Sequence, residues 1–248
     1  MTVPESPLRL RIDGAALIHN WQWLRSRGGG AACGAAVKAN GYGIGAAETV
    51  RALALAGCRD FFVSSWAEVA ALGAMPDGAV LSVFHGVRPE DMAFATAGIV
   101  KPVLNSVDQI ALWRQAGAGR ACDVMLDTGM HRLGLSIDDV RAGACNGLDI
   151  DVVMGHFSSA DDDDVRTAAE MALFDAAAAH IAARRRSIAN SAGIAGGGAR
   201  YALDLTGPDL RSMAASPAAR PQTTSARSPN CSRRSGTATS SRAKSTPG

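Results

Sequence analysis

The chain has 248 residues, of which 47% are hydrophobic, 19% charged and 5% aromatic. This length allows one large or two small domains with a sizeable core. No apolar run is long enough for a transmembrane helix, and the first residues lack the basic and then apolar pattern of a signal peptide. The five cysteines form no Cys-x-x-Cys pair, which argues against a disulfide framework and a zinc site. We therefore expect a cytoplasmic protein without a membrane partner or a bound metal.

The net charge of +2 is unevenly distributed along the chain. Residues 207–248 carry a net charge of +6, whereas the first 206 residues carry −4. Such a basic segment can indicate nucleic-acid binding. This one has no aromatic residue on which a base could stack, and it is biased towards Ser, Thr, Pro and Ala. We therefore predict no nucleic-acid partner.

Short apolar runs alternate with helical patterns through the first 206 residues, which is typical of repeated βαβ units. Because the runs are apolar at consecutive positions, they favour strands buried on both faces of a parallel sheet. The predicted strands are Gly34–Lys38, Asp60–Ser64, Ala79–Phe84, Val100–Leu104, Cys122–Leu126, Asp151–Phe157 and Ser187–Asn190. The predicted helices are Ala15–Ser26, Ala46–Ala56, Trp66–Leu72, Val107–Gln115, Ile137–Ala142 and Val165–Arg185.

Seven predicted strands, with an eighth expected to begin near Leu203–Thr206, indicate an α/β fold. The prediction is a (β/α)8 TIM-type barrel over residues 1–206 that is incomplete at its eighth strand. A doubly wound open sheet is the alternative.

Polar residues follow several of these strands, at the end of a barrel where active sites lie. Each has a structural explanation. The lysine can be a solvated strand end, the histidine a satisfied core residue, the arginine a partner of Asp127, and the Asn-Ser pair a helix cap. Their convergence on one face favours a functional site. These residues are Lys38, Tyr42, Asp127, Arg132, His156, Asn190 and Ser191.

Four segments resemble signatures of the alanine racemases. Residues 36–45, AVKANGYGIG, closely resemble the segment that carries that family's cofactor lysine. The other three are LDTGMHRLG at 126–134, GHFSSAD at 155–161 and ANSAG at 189–193, in the family's order and spacing. The resemblance extends from about Leu8 to Thr206. It implies a pyridoxal 5′-phosphate-dependent racemase that interconverts L-alanine and D-alanine, an isomerase that supplies D-alanine for the cell wall.

The resemblance also implies roles for individual residues. Lys38 would hold pyridoxal 5′-phosphate as a Schiff base and move a proton at the substrate Cα, which the cofactor ring makes acidic. Tyr42 and Ser191 would hold the phosphate, and Arg132 would bond the phenolic oxygen. His156 would pack against the pyridine ring. Asn190 is also expected to bind the cofactor.

The chain departs from the family pattern at two places. Met125 stands where several relatives have a carbamylated lysine that orients the arginine. Beyond Thr206 the family continues into an eighth strand and a second, β-rich domain that supplies a tyrosine base across a homodimer interface. Here residues 207–248 have too few large apolar side chains to form a core, so we predict a disordered tail.

A shift of reading frame accounts for this second departure. If one base is restored before a chosen back-translation of residues 207–217, the codons regroup to RPGLALYGGIP, which is similar to the family's eighth strand. We therefore predict a single-base deletion near Thr206, with a natural low-complexity tail as the alternative. The arginine lost at position 207 would face the pyridine nitrogen. We expect unpaired edges on the first and seventh strands, poor solubility, weak dimerisation and little racemase activity.

A stand-alone barrel that binds pyridoxal 5′-phosphate for cofactor homeostasis is the second functional hypothesis. Its lysine motif is shorter and does not resemble KANGYGIG.

Overall fold

The computed structural model describes residues 11–117 and 119–209. The strands are β1 Ala32–Cys33, β2 Ala35–Ala36, β3 Asp60–Val63, β4 Val80–Val83, β5 Lys101–Leu104, β6 Cys122–Met125, β7 Ile150–Met154, β8 Ala183–Ser187 and β9 Leu205–Thr206. The helices are α1 Gly14–Arg27, α2 Lys38–Tyr42, α3 Ala46–Leu55, α4 Trp66–Leu72, α5 Met92–Ala97, α6 Val107–Ala116, α7 Ile137–Arg141, α8 Asp164–Ala178, α9 Ser191–Gly197 and α10 Ala199–Ala202, with a 3-10 turn at Pro89–Asp91 before α5.

All strand pairs are parallel, and their order closes a barrel. β1 and β2 are two halves of the first barrel strand, separated by Gly34. β2 pairs with β3, whereas β1 pairs with β9. A Cβ at Gly34 would lie 2.8 Å from the carbonyl oxygen of Asp60, so glycine is required where the neighbouring strand passes. The predicted (β/α)8 barrel is confirmed.

The eighth barrel strand, β9, is only two residues long, yet it joins the first and seventh barrel strands. Its residues align with Ala32 and Cys33 on one side, and Leu205 aligns with Ser187 on the other. The backbone N–H of Ala36 also donates to the carbonyl of Pro208 at 3.0 Å. The prediction of unpaired edges on the first and seventh strands is therefore wrong, because residues 205–209 supply the missing hydrogen bonds. The rest of the predicted tail lies outside the described residues.

Residues 183–187 form a strand, although the sequence predicts the end of a helix there. α8 ends at Ala178. The strand predicted at Ser187–Asn190 corresponds to β8, which begins four residues earlier, at Ala183. The Ala-rich run and its arginines have high helix propensity. Pairing with β7 overrides this local preference, and the arginines alternate between the two faces of the strand. Arg185 points to Asp60 and Asp151, while Arg184 contacts Asp149.

A network of charged side chains lies at the amino-terminal ends of the strands, opposite the predicted site. Lys101 Nζ contacts Asp123 at 3.0 Å and also bonds Asp151, and Asp123 is fully buried. Burial outweighs the neighbouring lysine and raises the pKa of Asp123. Burial alone would raise the pKa of Asp151. The hydrogen bonds from Arg185 and Lys101 have a larger effect together and lower this pKa to about 2. The sequence analysis did not identify this network, because its members are far apart along the chain.

The side chains of β3 that face the barrel interior belong to three successive layers. On β3 and just beyond it, Asp60 joins the charged network, Phe62 joins an apolar cluster, and Ser64 lines the opposite mouth. A larger apolar core, which includes Trp21, Phe61 and Phe174, is formed between the strands and the helices. This arrangement fixes the ends of the strands on which the candidate site is built.

Several kinds of feature are absent from the described part of the chain. None of its helices is long and apolar enough to cross a membrane. Residues 11–117 and 119–209 contain no group of three or more His, Cys, Asp or Glu side chains placed to hold a metal ion. The four cysteines in these ranges are buried free thiols, Cys33, Cys58, Cys122 and Cys145.

Candidate active site

A cavity of about 460 Å³ opens at the carboxyl ends of the strands. Five of the six predicted site residues line it, and the sixth, Ser191, is bonded to a lining residue, Asp209. The structure therefore brings the four sequence signatures together. The lining also includes residues that the sequence analysis did not select, namely Ser64, Phe84, His85 and Thr128. Phe84 follows an apolar strand and carries no polar group, so only its place in the fold identifies it.

Lys38 lies two residues after β2, and its amine lies near two aromatic rings. Nζ is 6.0 Å from the centre of the Tyr42 ring and 5.8 Å from that of Phe84. Such cation–π contacts favour a positive charge only modestly. No carboxylate among the described residues lies within ion-pair distance of this amine. Lys38 is thus a half-buried amine held at the wall of the cavity rather than one neutralised by a salt bridge.

The backbone after Lys38 follows a left-handed turn. Ala39, Asn40 and Gly41 have φ of 52°, 50° and 64°, and Tyr42 has φ of 55°. Each non-glycine residue in this region costs about 1–2 kcal/mol. The turn reverses the chain, so that the side chains of Lys38 and Tyr42 both reach the cavity.

Hydrogen bonds from neighbouring segments stabilise this turn. The Glu68 carboxylate accepts from the backbone N–H of Ala39 at 2.8 Å and from that of Ser64 at 2.6 Å, which ties the lysine segment to the end of β3. The Asn40 side-chain oxygen accepts from the N–H of Ala46 at 3.0 Å. The sequence analysis did not single out Glu68, which lies in the first turn of α4 as part of a capping box.

Asp127 organises the loop that carries Arg132. Its Oδ1 accepts from the backbone N–H groups of Gly129 and His131, both at 3.0 Å, and its Oδ2 is 3.1 Å from the His131 ring nitrogen. Although burial raises the pKa of Asp127, these hydrogen bonds hold it below its ordinary value. The suggested pairing of Arg132 with Asp127 is not seen, because His131 takes that place.

Arg132 lines the cavity with no ion-pair partner among the described residues. Met125 also lines the cavity, and its thioether cannot accept a strong hydrogen bond from the guanidinium. The position of Arg132 is therefore set by the backbone of its loop, which is anchored where Leu126 bridges to Leu135.

His156 follows β7 and faces the same cavity. Burial lowers its pKa, and the positive charges of Arg132 and Lys38 lower it further, against weaker opposing effects of Asp209 and Glu170. The imidazole is therefore kept neutral at pH 7. Since the folded-state pKa lies below that of the unfolded chain, His156 reduces stability as pH falls below about 6.5. A neutral ring is suited to packing against an aromatic ligand.

Asn190 and Ser191 lie at the start of α9. The Asn190 side-chain oxygen accepts from the N–H of Gly193 at 2.9 Å, so the helix-cap interpretation is correct for this residue. Its amide also donates to the carbonyl of Phe157 at 3.3 Å. Ser191 Oγ donates to Asp209 Oδ2 and accepts from the Asp209 N–H, both at 3.0 Å.

Comparison with known proteins identifies the family. The family model "Alanine racemase, N-terminal domain" matches residues 12–208. An alanine racemase from Rhodospirillum rubrum is 41% identical over 215 residues, covering 81% of this chain and 57% of that protein. One from Acidiphilium cryptum is 39% identical over 194 residues, covering 75% and 54%.

This chain belongs to the alanine racemase N-terminal domain family. The fold agrees, since the alanine racemase from Bartonella henselae "with covalently bound pyridoxal phosphate" matches with a TM-score of 0.73 at 28% identity, over 79% of this chain and 58% of that one. The alanine racemase from Streptomyces coelicolor matches with a TM-score of 0.72 at 26% identity, over 82% and 58%. The chain spans a little over half the length of these relatives.

Proposed function

We propose that the barrel binds pyridoxal 5′-phosphate through Lys38 and catalyses proton transfer at the Cα of alanine, as part of an alanine racemase. The observation that carries this proposal is the position of the Lys38 amine, at the wall of the mouth cavity and near Arg132 and His156. The relative from Bartonella henselae, whose structure carries the cofactor covalently, supports it.

The residues of the cavity fit this cofactor at the aldehyde and the ring. An amine without a carboxylate partner among the described residues suits an aldehyde, and a neutral imidazole and an apolar methionine suit the face of a pyridine ring. Arg132 would donate to the phenolic oxygen. Tyr42 and Ser191 would hold the phosphate, and Asn190 fixes the start of α9 beside them. At Ser191 the fit is poorer, because the Asp209 carboxylate is bonded to the hydroxyl.

The cofactor, when bound, supplies a conjugated ring that withdraws electrons from the substrate Cα. The chain's own residues supply proton transfer and orientation. Lys38 would remove or return the Cα proton on its side of the substrate. The Phe84 ring lies 5.8 Å from the amine at the wall of the cavity. The hydrogen bond from the Ala39 N–H to Glu68 holds the backbone from which the lysine side chain extends.

Exchange of the alanine Cα proton for deuterium tests this function on a single face of the substrate. We expect the chain with added pyridoxal 5′-phosphate to accelerate this exchange over the cofactor alone, when followed by NMR in D2O. Because a general base contributes about 10²- to 10⁴-fold, Lys38→Ala should reduce the enzymatic rate at least about 100-fold. Lys38→Arg keeps the positive charge, and it should reduce the exchange rate by as much as Lys38→Ala does. An undiminished rate in Lys38→Ala would contradict the proposal.

Two further aspects are part of the proposal. Alanine is proposed as substrate because the matched relatives are named alanine racemases. A cytoplasmic location and a homodimer stay predictions; the buried free thiols of the described cysteines are compatible with a reducing compartment. The homeostasis barrel is not favoured, because the matching model is that of alanine racemase.

A further inference from the structure

The carboxylate of Asp209 lies at the phosphate end of the proposed cofactor site. Its Oδ2 accepts from Ser191 Oγ at 3.0 Å, and its backbone N–H donates to the same oxygen at 3.0 Å. The hydroxyl of Ser191 therefore already donates its proton to a negatively charged carboxylate. Asp209 is held there by the barrel itself, since it aligns with Ala36 in a parallel bridge beyond β9.

A phosphate monoester carries a charge of about −1.5 to −2 at pH 7. Placing it next to a carboxylate is unfavourable, because like charges a few ångströms apart repel strongly in a partly buried site. The phosphate also needs the Ser191 proton that Asp209 now accepts. An aldehyde without a phosphate group meets neither obstacle at Asp209, and it would still reach Lys38, which lines the same cavity.

We propose that Asp209 is a specificity-determining residue that disfavours phosphorylated aldehydes at the Lys38 site relative to their unphosphorylated counterparts. This inference rests on the proposed function, in which Lys38 binds the aldehyde and Ser191 lies at the phosphate end. With the Asp209 carboxylate present, the cavity should bind pyridoxal 5′-phosphate more weakly than its other lining residues would allow.

The test compares two aldehydes, pyridoxal 5′-phosphate and pyridoxal, on four forms of the full chain. Capture by Lys38 is measured by absorbance titration, and the dissociation constants give the preference for the phosphorylated compound. Asp209→Asn has the same size and removes the charge, so we expect it to raise this preference at least about tenfold. Asp209→Glu keeps a carboxylate and should leave the preference near that of the parent chain. Asp77→Asn is the matched control, because it removes an exposed carboxylate outside the cavity lining.

The outcomes separate this inference from the proposed function. An unchanged preference in Asp209→Asn, with both aldehydes still captured by Lys38, would overturn the inference alone. An equal gain in Asp77→Asn would also overturn it, since the effect would then be one of net charge. Failure of Lys38 to capture either aldehyde in every form would overturn the proposed function, and the inference with it.

Discussion

Replacing Lys101 with methionine should lower the free energy of unfolding by about 3–5 kcal/mol. The ammonium of Lys101 bonds both Asp123 and Asp151, and its side chain is only 9% exposed. Methionine fills a similar volume but leaves a fully buried carboxylate, Asp123, without its cation. Removing one partner of a buried ion pair is costly, because the remaining charge has lost its compensation. Urea unfolding followed by circular dichroism measures the effect.

An exposed ion pair provides the control for this prediction. Arg88 contacts Glu90 at 3.0 Å and Asp91 at 2.9 Å, but its side chain is 64% exposed. Because water screens such pairs, Arg88→Met should lower the free energy of unfolding far less than Lys101→Met does. A loss of equally small size in Lys101→Met would show that the charged layer of the barrel contributes no more than a surface pair.

Replacing Gly134 with alanine should cost about 3 kcal/mol or more and weaken cofactor binding. Gly134 has φ of +118°, and a Cβ there would overlap the backbone nitrogen of Asp127 and approach the carbonyl carbon of Leu126 to 2.5 Å. The two segments of this isolated bridge cannot move apart without breaking the hydrogen bond from the Asp127 N–H to the carbonyl of Leu135. Since this bond anchors the loop of Arg132, both stability and affinity for pyridoxal 5′-phosphate should fall.

Gly147 allows the steric part of this effect to be measured. It also has a positive φ, +76°, but a Cβ would meet no atom within 4 Å. Gly147→Ala should therefore cost only the backbone strain, about 1–2 kcal/mol, and leave cofactor binding unchanged. Equal losses of stability in the two variants, with equal affinity for the cofactor, would mean that the close approach at Gly134 does not position the loop.

Much of the fold could be predicted from the sequence, because the information is local. Short apolar runs such as Asp60–Val63 bury both faces, and their spacing with Ala46–Leu55 and similar helices indicates a parallel barrel. In such a barrel the ends of the strands converge, so Lys38 and His156 could be expected at one mouth before any coordinates.

The failures have a common physical cause, which is contact between distant segments. The arginines at 184–186 favour a helix locally, but the strand is stabilised by Asp60 and Asp151. The loss of the family's eighth strand beyond Thr206 predicts open edges, but the two residues of β9 pair with Ala32 and Cys33 and close the barrel. The bond between Ser191 and Asp209 likewise joins residues that no local motif connects.

The central claim is that the amine of Lys38 carries the aldehyde cofactor, and locating a trapped cofactor on the chain tests it most directly. The chain is incubated with pyridoxal 5′-phosphate and treated with borohydride. It is then digested, and the modified peptide is identified by mass spectrometry. We predict the reduced cofactor on Lys38, within the peptide that contains AVKANGYGIG, and no labelled peptide from Lys38→Ala. A label confined to Lys101, Lys244 or the amino terminus, or no label above background, would contradict this account.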